Sequence, residues 1–491
     1  MSSNQTLKQL LADRKKKLDL IKEAGVNPYP SKAKRTCTNA EALKNFNKLK
    51  KRKITLVGRI MGKRGHGGIN FADLEDESGK IQIALRKDEI GEKNFNIFLN
   101  LIERGDFIEV EGTLFLTRAG EKTLGVSRWK LLSKALKPLP EKWKGLQSEE
   151  LRYRKRYLDL LTNQETRERF RKRSHFIELL RNFLLGKGFL EVETPILQQM
   201  AGGAIAKPFK TRHNALGQDY FLRIAPELYL KRLIVGGFEK VFEFARNFRN
   251  EGISTQHNPD FTMLEFYLAY SDYEKLMSLT EEMFKKIIPK INGSFVINFQ
   301  GKKFDFKPPY KKVLFSDLVK KELKLDMDKL KRKDLLEIIK KNSIELKNIS
   351  SESDAKLLDE IYKKIIRPKL SGPLFLMDYP KEMIPLAKTK EENPKRIATF
   401  QLIVNGWEII KAYNELNDPG EQADRFLEQA KAKEKGDEEA HGFDEDYVEA
   451  LSYGMPPTAG WGMGIDRFLA ILLDQKNLRD VILFPLRRKK D

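Results

Sequence analysis

Three stretches of this 491-residue chain carry side chains whose types and spacing could do chemistry. In FEFARNFRNEGISTQHNPDFTMLEFY, Phe242 to Tyr267, two strand-like runs flank a polar loop, Gly252 to Pro259. Arg249 and Glu251 stand two apart, as do Phe261, Met263, Glu265 and Tyr267, so each set shares one face of an extended strand. Paired antiparallel, the runs would place a guanidinium, carboxylates and an aromatic ring on one floor. That floor suits a nucleotide, since Arg grips phosphate bidentately and an aromatic face stacks on a base. On spacing alone, a surface hairpin with solvated charges serves equally well.

The second stretch is GMPPTAGWGMGIDRFLAILLDQ, Gly454 to Gln475. Gly460, Gly462 and Gly464 alternate, which strips one strand face of side chains and lets a flat ligand approach the backbone. Asp466 opens an apolar helix, and Arg467 sits in its first turn, where a cation opposes the helix dipole. A charge placed so, after a bare strand face, points to function; a Gly-rich packing corner is the competing reading. The third stretch is TFQLIVNGWEIIKAYNELNDP, Thr399 to Pro419, with a type I′ hairpin signal at Asn405-Gly406. A two-residue turn pairs Val404 with Trp407, Ile403 with Glu408 and Gln401 with Ile410. Gln401 and Glu408 then share a face. Lys411, Tyr413 and Glu415 take the opposite phase unless a bulge intervenes between Glu408 and Lys411. Carboxylates on such a strand can bind Mg²⁺ or an ammonium group.

These stretches need a frame. Ile54, Leu56, Gly58 and Ile60 alternate with other residues, as do Ile81, Ile83 and Leu85, and Ile108, Val110, Gly112, Leu114 and Leu116. With a further strand at Leu124 to Leu132, this predicts a small β-barrel of about five strands. Before it, Leu7 to Ala24 reads as an amphipathic basic helix. After it, Lys134 to Gly145, with Pro138 and Pro140, reads as a linker. An α+β region follows: Phe176, Leu179, Leu180, Phe183 and Leu184 at helical spacing, then mainly strands and loops from Phe189 to Tyr267. Residues 311–370 are Lys-rich and read as an inserted helical subdomain. The expected boundaries are 1–48 for a basic helical extension, 49–137 for the barrel, 138–156 for the linker and 157–491 for the large domain.

Composition narrows the function. Hydrophobic residues make up 40% and charged residues 33%, which excludes a disordered chain. No run of about 18 apolar residues exists to span a membrane. The N-terminal residues lack the apolar run of a secretory signal. The single cysteine, Cys37, excludes an intramolecular disulfide and a Cys-based zinc cluster. A reducing, cytoplasmic setting is expected. The net charge of +22 points to a polyanion such as nucleic acid, and residues 1–70 hold 18 basic and 4 acidic side chains. No GxxxxGK[ST] loop occurs, so this is not a P-loop ATPase. The five histidines (His66, His175, His213, His257 and His441) show no metal-ligand spacing, and only His257 lies in a polar loop with other candidate groups.

FRNEGISTQHNPDFTMLEFY resembles motif 2 of class II aminoacyl-tRNA synthetases, GMPPTAGWGMGIDRF resembles motif 3, and GFLEVETPIL, Gly188 to Leu197, resembles the dimer-forming motif 1. GGAIAKPFKTRHNALGQDYFLRIAPELYLKRLIVGGFEKVFE and ELNDP are similar to the lysyl-tRNA synthetase family in particular, and the likeness runs over nearly the whole chain. It implies an OB-fold anticodon-binding barrel followed by a class II antiparallel sheet flanked by helices. It also implies a homodimer with tRNA(Lys), L-lysine and ATP as partners and Mg²⁺ as cofactor. In that likeness Arg249 and Arg467 are catalytic. Arg249 holds the α-phosphate and the lysine carboxylate, Glu251 faces the adenine edge, His257 and Asn258 lie by the ATP, and Phe261 and Arg467 sandwich the adenine. Glu408 is a metal ligand. Gly203 and Glu227 take the α-amino group, Tyr267 and Glu415 read the ε-ammonium, and Glu265, Lys411 and Tyr413 line the pocket. In the barrel, Phe71 and Gln82 match the anticodon-reading pair, with Arg64 beside them.

Two positions depart from the family pattern. Gln401 stands where an acidic residue is usual, and Lys411 stands where Asn is usual. A paired metal site has lost one charge, so fewer or weaker Mg²⁺ ions are expected, with the Lys411 charge standing in for one of them. Other readings stay open beside the lysine–tRNA ligase. A class II synthetase of altered, aspartyl or asparaginyl, specificity would draw support from Lys411 alone. A non-catalytic tRNA-binding paralogue should have lost Arg249 or Arg467. A plain single-strand-binding protein would need only the first 150 residues.

Overall fold

The computed structural model describes residues 7–140, 146–346, 349, 352–434 and 442–488. His441, part of the expected linker and part of the 311–370 segment lie outside the described residues. The chain divides into two compact units, Met1–Leu146 and Gln147–Asp491.

In the first unit, β1 (Ile54–His66), β2 (Ile69–Asp76), β3 (Gly79–Arg86), β4 (Phe107–Leu116) and β5 (Lys122–Ser133) close a barrel in the order β1-β2-β3-β5-β4. The alternation seen in the sequence sets its inside: Leu56, Ile60, Ile83, Leu85, Ile108 and Val110 are fully buried in one core. Gly112 sits where β4 crosses β5, and a Cβ there would stand 2.8 Å from the Gly125 carbonyl carbon, so only Gly lets the strands close. Helix α1 (Leu7–Glu23) is the expected basic amphipathic helix. Its Ile21 joins the barrel core. Arg14 is buried too, donating to the carbonyls of Ala135 (2.8 Å) and Arg104 (3.0 Å), while Lys17 pairs with Glu103 at 2.8 Å.

The second unit is built on an eight-stranded sheet. Its strands are β6 (Leu190–Glu191), β7 (Lys240–Phe248), β8 (Asp260–Ala269), β9 (Lys311–Leu314), β10 (Leu374–Met377), β11 (Thr399–Val404), β12 (Trp407–Asn414) and β13 (Thr458–Gly464). Their order is β9-β10-β11-β12-β13-β8-β7-β6. The central pairs are antiparallel, whereas β9 and β6 join the two edges in parallel. Helices α2 (Gln164–Leu185) and α4 (Tyr273–Asn292) and the closing helix α8 (Ile465–Leu472) pack on one face. Between α2 and α4, α3 (Glu227–Val235) is a helix inside the stretch expected as strands and loops. Pro226 precedes it and Gly236 ends it, and tertiary burial of Leu228, Leu230 and Ile234 outweighs the weak helical signal of nine residues. Helices α5 (Phe315–Leu323), α6 (Arg332–Lys341) and α7 (Asp354–Ile361) lie within the 311–370 segment. Its first four residues are β9, an edge strand of the main sheet rather than helix.

Alternation divides the central sheet into a core face and a site face. Leu264 and Phe266 on β8, Trp461 and Met463 on β13, and Ile410 and Ala412 on β12 are buried in the helix-covered core. Phe266 stacks on Trp461 at 4.7 Å, and the Trp461 indole donates to Thr280 Oγ1 at 2.9 Å. The alternate residues therefore face the other way, and they are the ones with polar heads.

Candidate active site

The site face floors a cavity of about 530 Å³. Its floor is a set of cross-strand rows. One row runs Gln401–Lys411–Gly462–Glu265–Glu243 across β11, β12, β13, β8 and β7. The next runs Thr399–Tyr413–Gly460–Tyr267–Val241. The glycines of β13 thus lie between bulky neighbours and open the middle of the floor. At Gly460 a Cβ would stand 2.6 Å from Tyr267 Cε1. Gly460→Ala should displace Tyr267 and Glu415 at an overpacking cost of about 1–3 kcal/mol. For the lysine and ATP that the resemblance implies as substrates, the expected result is a lysine KM raised at least tenfold with an unchanged ATP KM, read from steady-state exchange kinetics.

The hairpin register corrects the sequence reading. Both turn residues have positive φ (Asn405 47°, Gly406 72°), as a type I′ turn requires, and Ile403 pairs with Glu408. A bulge then makes Ile409 the extra residue, so Leu402 pairs with Ile410 and Gln401 with Lys411 rather than Ile410. That one residue brings Lys411, Tyr413 and Glu415 onto the same cavity as Glu408. A second correction concerns Arg249 and Glu251. β7 ends at Phe248, so both belong to the loop that follows and not to a strand face. The loop still delivers them to the cavity, because the Arg249 N–H donates to Pro259 O at 2.8 Å and closes its base.

At one end of the cavity lie the nucleotide candidates. The Arg249 guanidinium sits 5.0 Å from the Phe261 ring centroid, and its buried Nε has no acceptor among the described residues. Burial lowers its pKa, and the charges of Glu251, Glu265 and Glu408 oppose that shift. Arg467 leaves the first turn of α8 beside Asp466. Asp466 accepts the Thr262 N–H at 3.0 Å and Arg173 Nη1 at 2.5 Å, which ties α8 to β8 and aims Arg467. Asn258 is buried with its amide donating to Asp260 O and Oδ1, both at 2.7 Å, so it shapes the loop. The His257 ring, 2.9 Å from Ser254 Oγ, is solvent-accessible yet ringed by protein. That crowding, followed by the charges of Arg467, Arg367, Arg249 and Lys363, pushes it down to about 4.

At the other end is an acidic pocket. Glu227, Glu265 and Glu415 are each at most 5% exposed. Tyr413 OH donates to Glu227 Oε1 at 2.7 Å, and Tyr267 OH to Glu265 Oε2 at 3.4 Å. Sequence reasoning missed Lys231, which lay in plain view in PELYLKRL. It is fully buried on α3, donates to Glu227 Oε1 at 2.6 Å and forms an ion pair with Glu415 Oε2. Burial opposes its charge, but Glu227 and then Glu415 outweigh burial and hold it above the ordinary lysine range. Glu415 Oε1 is buried with no hydrogen-bond partner among the described residues. Gly203, with φ of 86°, lies where a Cβ would come 3.0 Å from Glu227 Cβ, so its backbone stands close to that carboxylate.

Burial, then the charge of Glu227, pushes Glu265 up to about 8. Its carboxyl therefore keeps a proton at neutral pH that the unfolded chain would lose. The stabilisation it gives is full below about 4.5 and is lost as pH rises through 8. A ligand that brings ammonium groups in beside it favours the ionised form. At pH 7, binding of the lysine that the resemblance implies should release a fraction of a proton, seen as a buffer-dependent binding enthalpy, and Glu265→Gln should remove that dependence.

The metal expectation meets a mixed donor set. Gln401 Oε1 accepts from Tyr379 OH at 2.6 Å and Tyr362 OH at 3.4 Å, so its oxygen is engaged. Among the described residues, no group of three His, Cys, Asp or Glu side chains could hold an ion. Glu408 is the carboxylate left on that side of the floor. A paired-carboxylate site does not fit these residues.

In the barrel, the outer face of β1–β3 brings Arg64, Phe71 and Gln82 together, with Arg64 opposite Phe71. Phe71 is half-buried and Arg64 exposed, its guanidinium 3.2 Å from Asp73. Gln82 is buried, donating to Glu121 at 2.5 Å and accepting from Thr123 Oγ1 at 2.9 Å.

Comparison with known proteins agrees with this geometry. Residues 148–488 match the family "tRNA synthetases class II (D, K and N)", and residues 54–132 match "OB-fold nucleic acid binding domain". The barrel is thus an OB-fold and the large sheet that of a class II synthetase. A lysine–tRNA ligase of Pelotomaculum thermopropionicum is 47% identical over 99% of this chain and 96% of its own length. That of Carboxydothermus hydrogenoformans is 46% identical over 99% and 100%, and that of Thermoanaerobacter pseudethanolicus 46% over 100% and 98%. With these likenesses spanning both units, the chain belongs to the lysine–tRNA ligase family of class II aminoacyl-tRNA synthetases.

Proposed function

We propose that the protein joins L-lysine to tRNA(Lys) at the expense of ATP. The observation that carries the lysine assignment is the Glu415 carboxylate: 1% exposed, one oxygen paired with Lys231, the other buried beside Gly460 with no hydrogen-bond partner among the described residues. A buried acceptor in that state favours a ligand that brings N–H donors and a positive charge, and disfavours neutral isosteres that leave it unpaired.

In the first step a lysine carboxylate oxygen attacks the α-phosphorus and pyrophosphate leaves, giving lysyl-adenylate. The carboxylate is already a nucleophile, so no general base is needed. Catalysis is in-line positioning and neutralisation of charge by Arg249 and Arg467. Phe261 offers a stacking face for adenine, opposite Arg467, with Glu251 at its edge and His257 and Asn258 shaping the motif 2 loop. Glu227 and Gly203 take the α-amino group; Tyr267 and Glu415, supported by Glu265 and Tyr413, take the ε-ammonium. In the second step the lysyl group passes to the terminal ribose of the tRNA and AMP departs. Mg²⁺, when bound through Glu408 and the phosphates, supplies further neutralisation.

The domain assignment follows: a helical extension over 1–48, the anticodon-binding OB-fold over 49–137, and the catalytic domain over 157–491 with the 311–370 insertion. Phe71 would stack on an unpaired anticodon base, worth roughly 1–3 kcal/mol. Phe71→Ala should raise the tRNA KM about tenfold and leave lysine-dependent pyrophosphate exchange untouched, as measured by aminoacylation and exchange in parallel. The residues around motif 1 support a homodimer, since Leu185, Leu190, Ile196 and Leu197 are each 46–47% exposed. A cytoplasmic setting suits a translation enzyme, and no described helix is long and apolar enough to cross a membrane. ATP–pyrophosphate exchange with each of the twenty amino acids tests the reading. Exchange with lysine alone supports it; aspartate-dependent exchange, or none, overturns it.

A further inference from the structure

The polyphosphate end of the cavity is richer in fixed cations than in acids. Lys411 stands directly opposite Gln401 on neighbouring strands, on the row that floors the site. Its ammonium has no hydrogen-bond or ion-pair partner among the described residues, and neither has the Glu408 carboxylate. Gln401 is held by its oxygen to Tyr379 and Tyr362, which leaves its Nε2 amide, a donor, as its free polar group. A donor cannot ligate a metal but can bond a phosphate oxygen. Arg367 and Lys363, from the turn that follows α7, line the same cavity. Arg367 is 5.9 Å from the Tyr362 ring, and Lys363 is anchored to Asp359 at 2.5 Å. Arg367, Arg249 and Glu408 all act electrostatically on Arg467, which places these charges around one locus.

Mg²⁺ at a nucleotide is ordinarily held by one or two carboxylates together with the phosphates. Here the floor offers Glu408, while the neighbouring positions present an ammonium and an amide donor. A second divalent ion would meet the Lys411 charge without a compensating carboxylate.

We propose that this cavity neutralises the triphosphate chiefly with side-chain cations, Lys411 and Arg367 foremost, and takes at most one divalent ion, at Glu408. The inference rests on the ATP-dependent reading above. Lys411 and the Gln401 amide act as one cross-strand pair that fills the place of a metal and its ligand. The 311–370 insertion is then part of the nucleotide site, because it supplies Arg367 and Lys363.

The test uses the full-length protein and α,β-methylene-ATP, which cannot be cleaved at the α–β bridge. Calorimetry in EDTA measures binding without metal, and electron paramagnetic resonance counts Mn²⁺ bound per site with the analogue present. The wild type should bind the analogue in EDTA within tenfold of its affinity in Mn²⁺, and hold no more than one ion. Lys411→Asn and, separately, Arg367→Gln should each weaken the metal-free affinity at least tenfold. The double variant Gln401→Glu/Lys411→Asn should gain a second Mn²⁺. Two or more ions at the wild-type site overturn the proposal. So does metal-free binding that both single variants leave unchanged. A variant that fails to fold, judged by its thermal melt, leaves the wild-type ion count and the other variant to decide. Lysine-dependent pyrophosphate exchange by the wild type in Mg²⁺ is run beside these: its absence defeats the ligase reading itself, whereas exchange with two bound ions defeats only this inference.

Discussion

Glu415→Gln should reduce kcat/KM for lysine by roughly 10²–10³-fold, the scale expected when one member of a buried charge pair, worth about 3–5 kcal/mol, is removed. Gln keeps the shape and loses the charge. Lys231 is then left with Glu227 alone, and an incoming ε-ammonium meets a second buried cation with less to balance it. Two effects therefore add: a weaker partner for the substrate and a stronger repulsion from Lys231. ATP binding should not change, because Glu415 lies at the far end of the cavity from Arg249 and Arg467. Calorimetry with lysine and with an ATP analogue separates the two ends. Equal losses for both ligands would show that Glu415 holds the cavity together rather than reading the amino acid. Lys231→Met is the informative companion. With its counter-ion gone, the acidic cluster should still bind lysine, at a lower melting temperature, since two carboxylates then share one pocket without a fixed cation.

Arg249→Gln should lower the rate of adenylate formation by about 10³-fold or more, judged against the 10²–10³-fold loss seen when a single transition-state donor is removed. The side chain lies over the Phe261 ring, where burial works against its charge and the nearby carboxylates Glu251 and Glu408 favour it. In the role proposed for it, Arg249 touches the lysine carboxylate and the α-phosphate together, so its loss should weaken binding of both substrates and slow the chemical step further. Single-turnover formation of lysyl-adenylate separates these contributions. Arg249→Lys should recover only part of the rate, because an ammonium keeps the charge and loses the bidentate geometry. A rate within tenfold of wild type for Arg249→Gln would remove it from the catalytic role.

The two ends of the cavity differ in how far local pattern could reveal them. Phe261, Met263, Glu265 and Tyr267 were legible as one face because period two is intrinsic to an extended chain. The same held for Gly460 and Gly462, and for the barrel's inward residues. The Asn405-Gly406 turn was legible because only positive φ at both positions matches the twist of the hairpin. The bulge at Ile409 was foreseen only as a condition, since nothing local says whether a strand carries an extra residue; its register against β13 and β11 decides that. Arg249 and Glu251 were misplaced onto a strand because spacing in sequence cannot tell where pairing stops. Lys231 escaped because a lysine in a helix is ordinarily a solvated charge, and only the packing of α3 against the site end of the sheet turned it inward.

The basic excess of residues 1–70 was countable from the sequence, yet the structure buries Arg14 and engages Lys17 within the first unit. Their neighbours Lys15 and Lys16 stay exposed, so the helix keeps only part of its charge for a polyanion. Sequence by itself determined the class of architecture, the inner and outer faces of the strands, and which residue types were available for phosphate, adenine and ammonium. These follow from backbone periodicity, turn chemistry and motif resemblance. Tertiary structure alone decided which of them share a cavity, that Lys231 balances Glu227 and Glu415, and that Gln401 pairs with Lys411 on the neighbouring strand. Those outcomes depend on register, burial and the desolvation of charges, which are set by residues far apart in the chain.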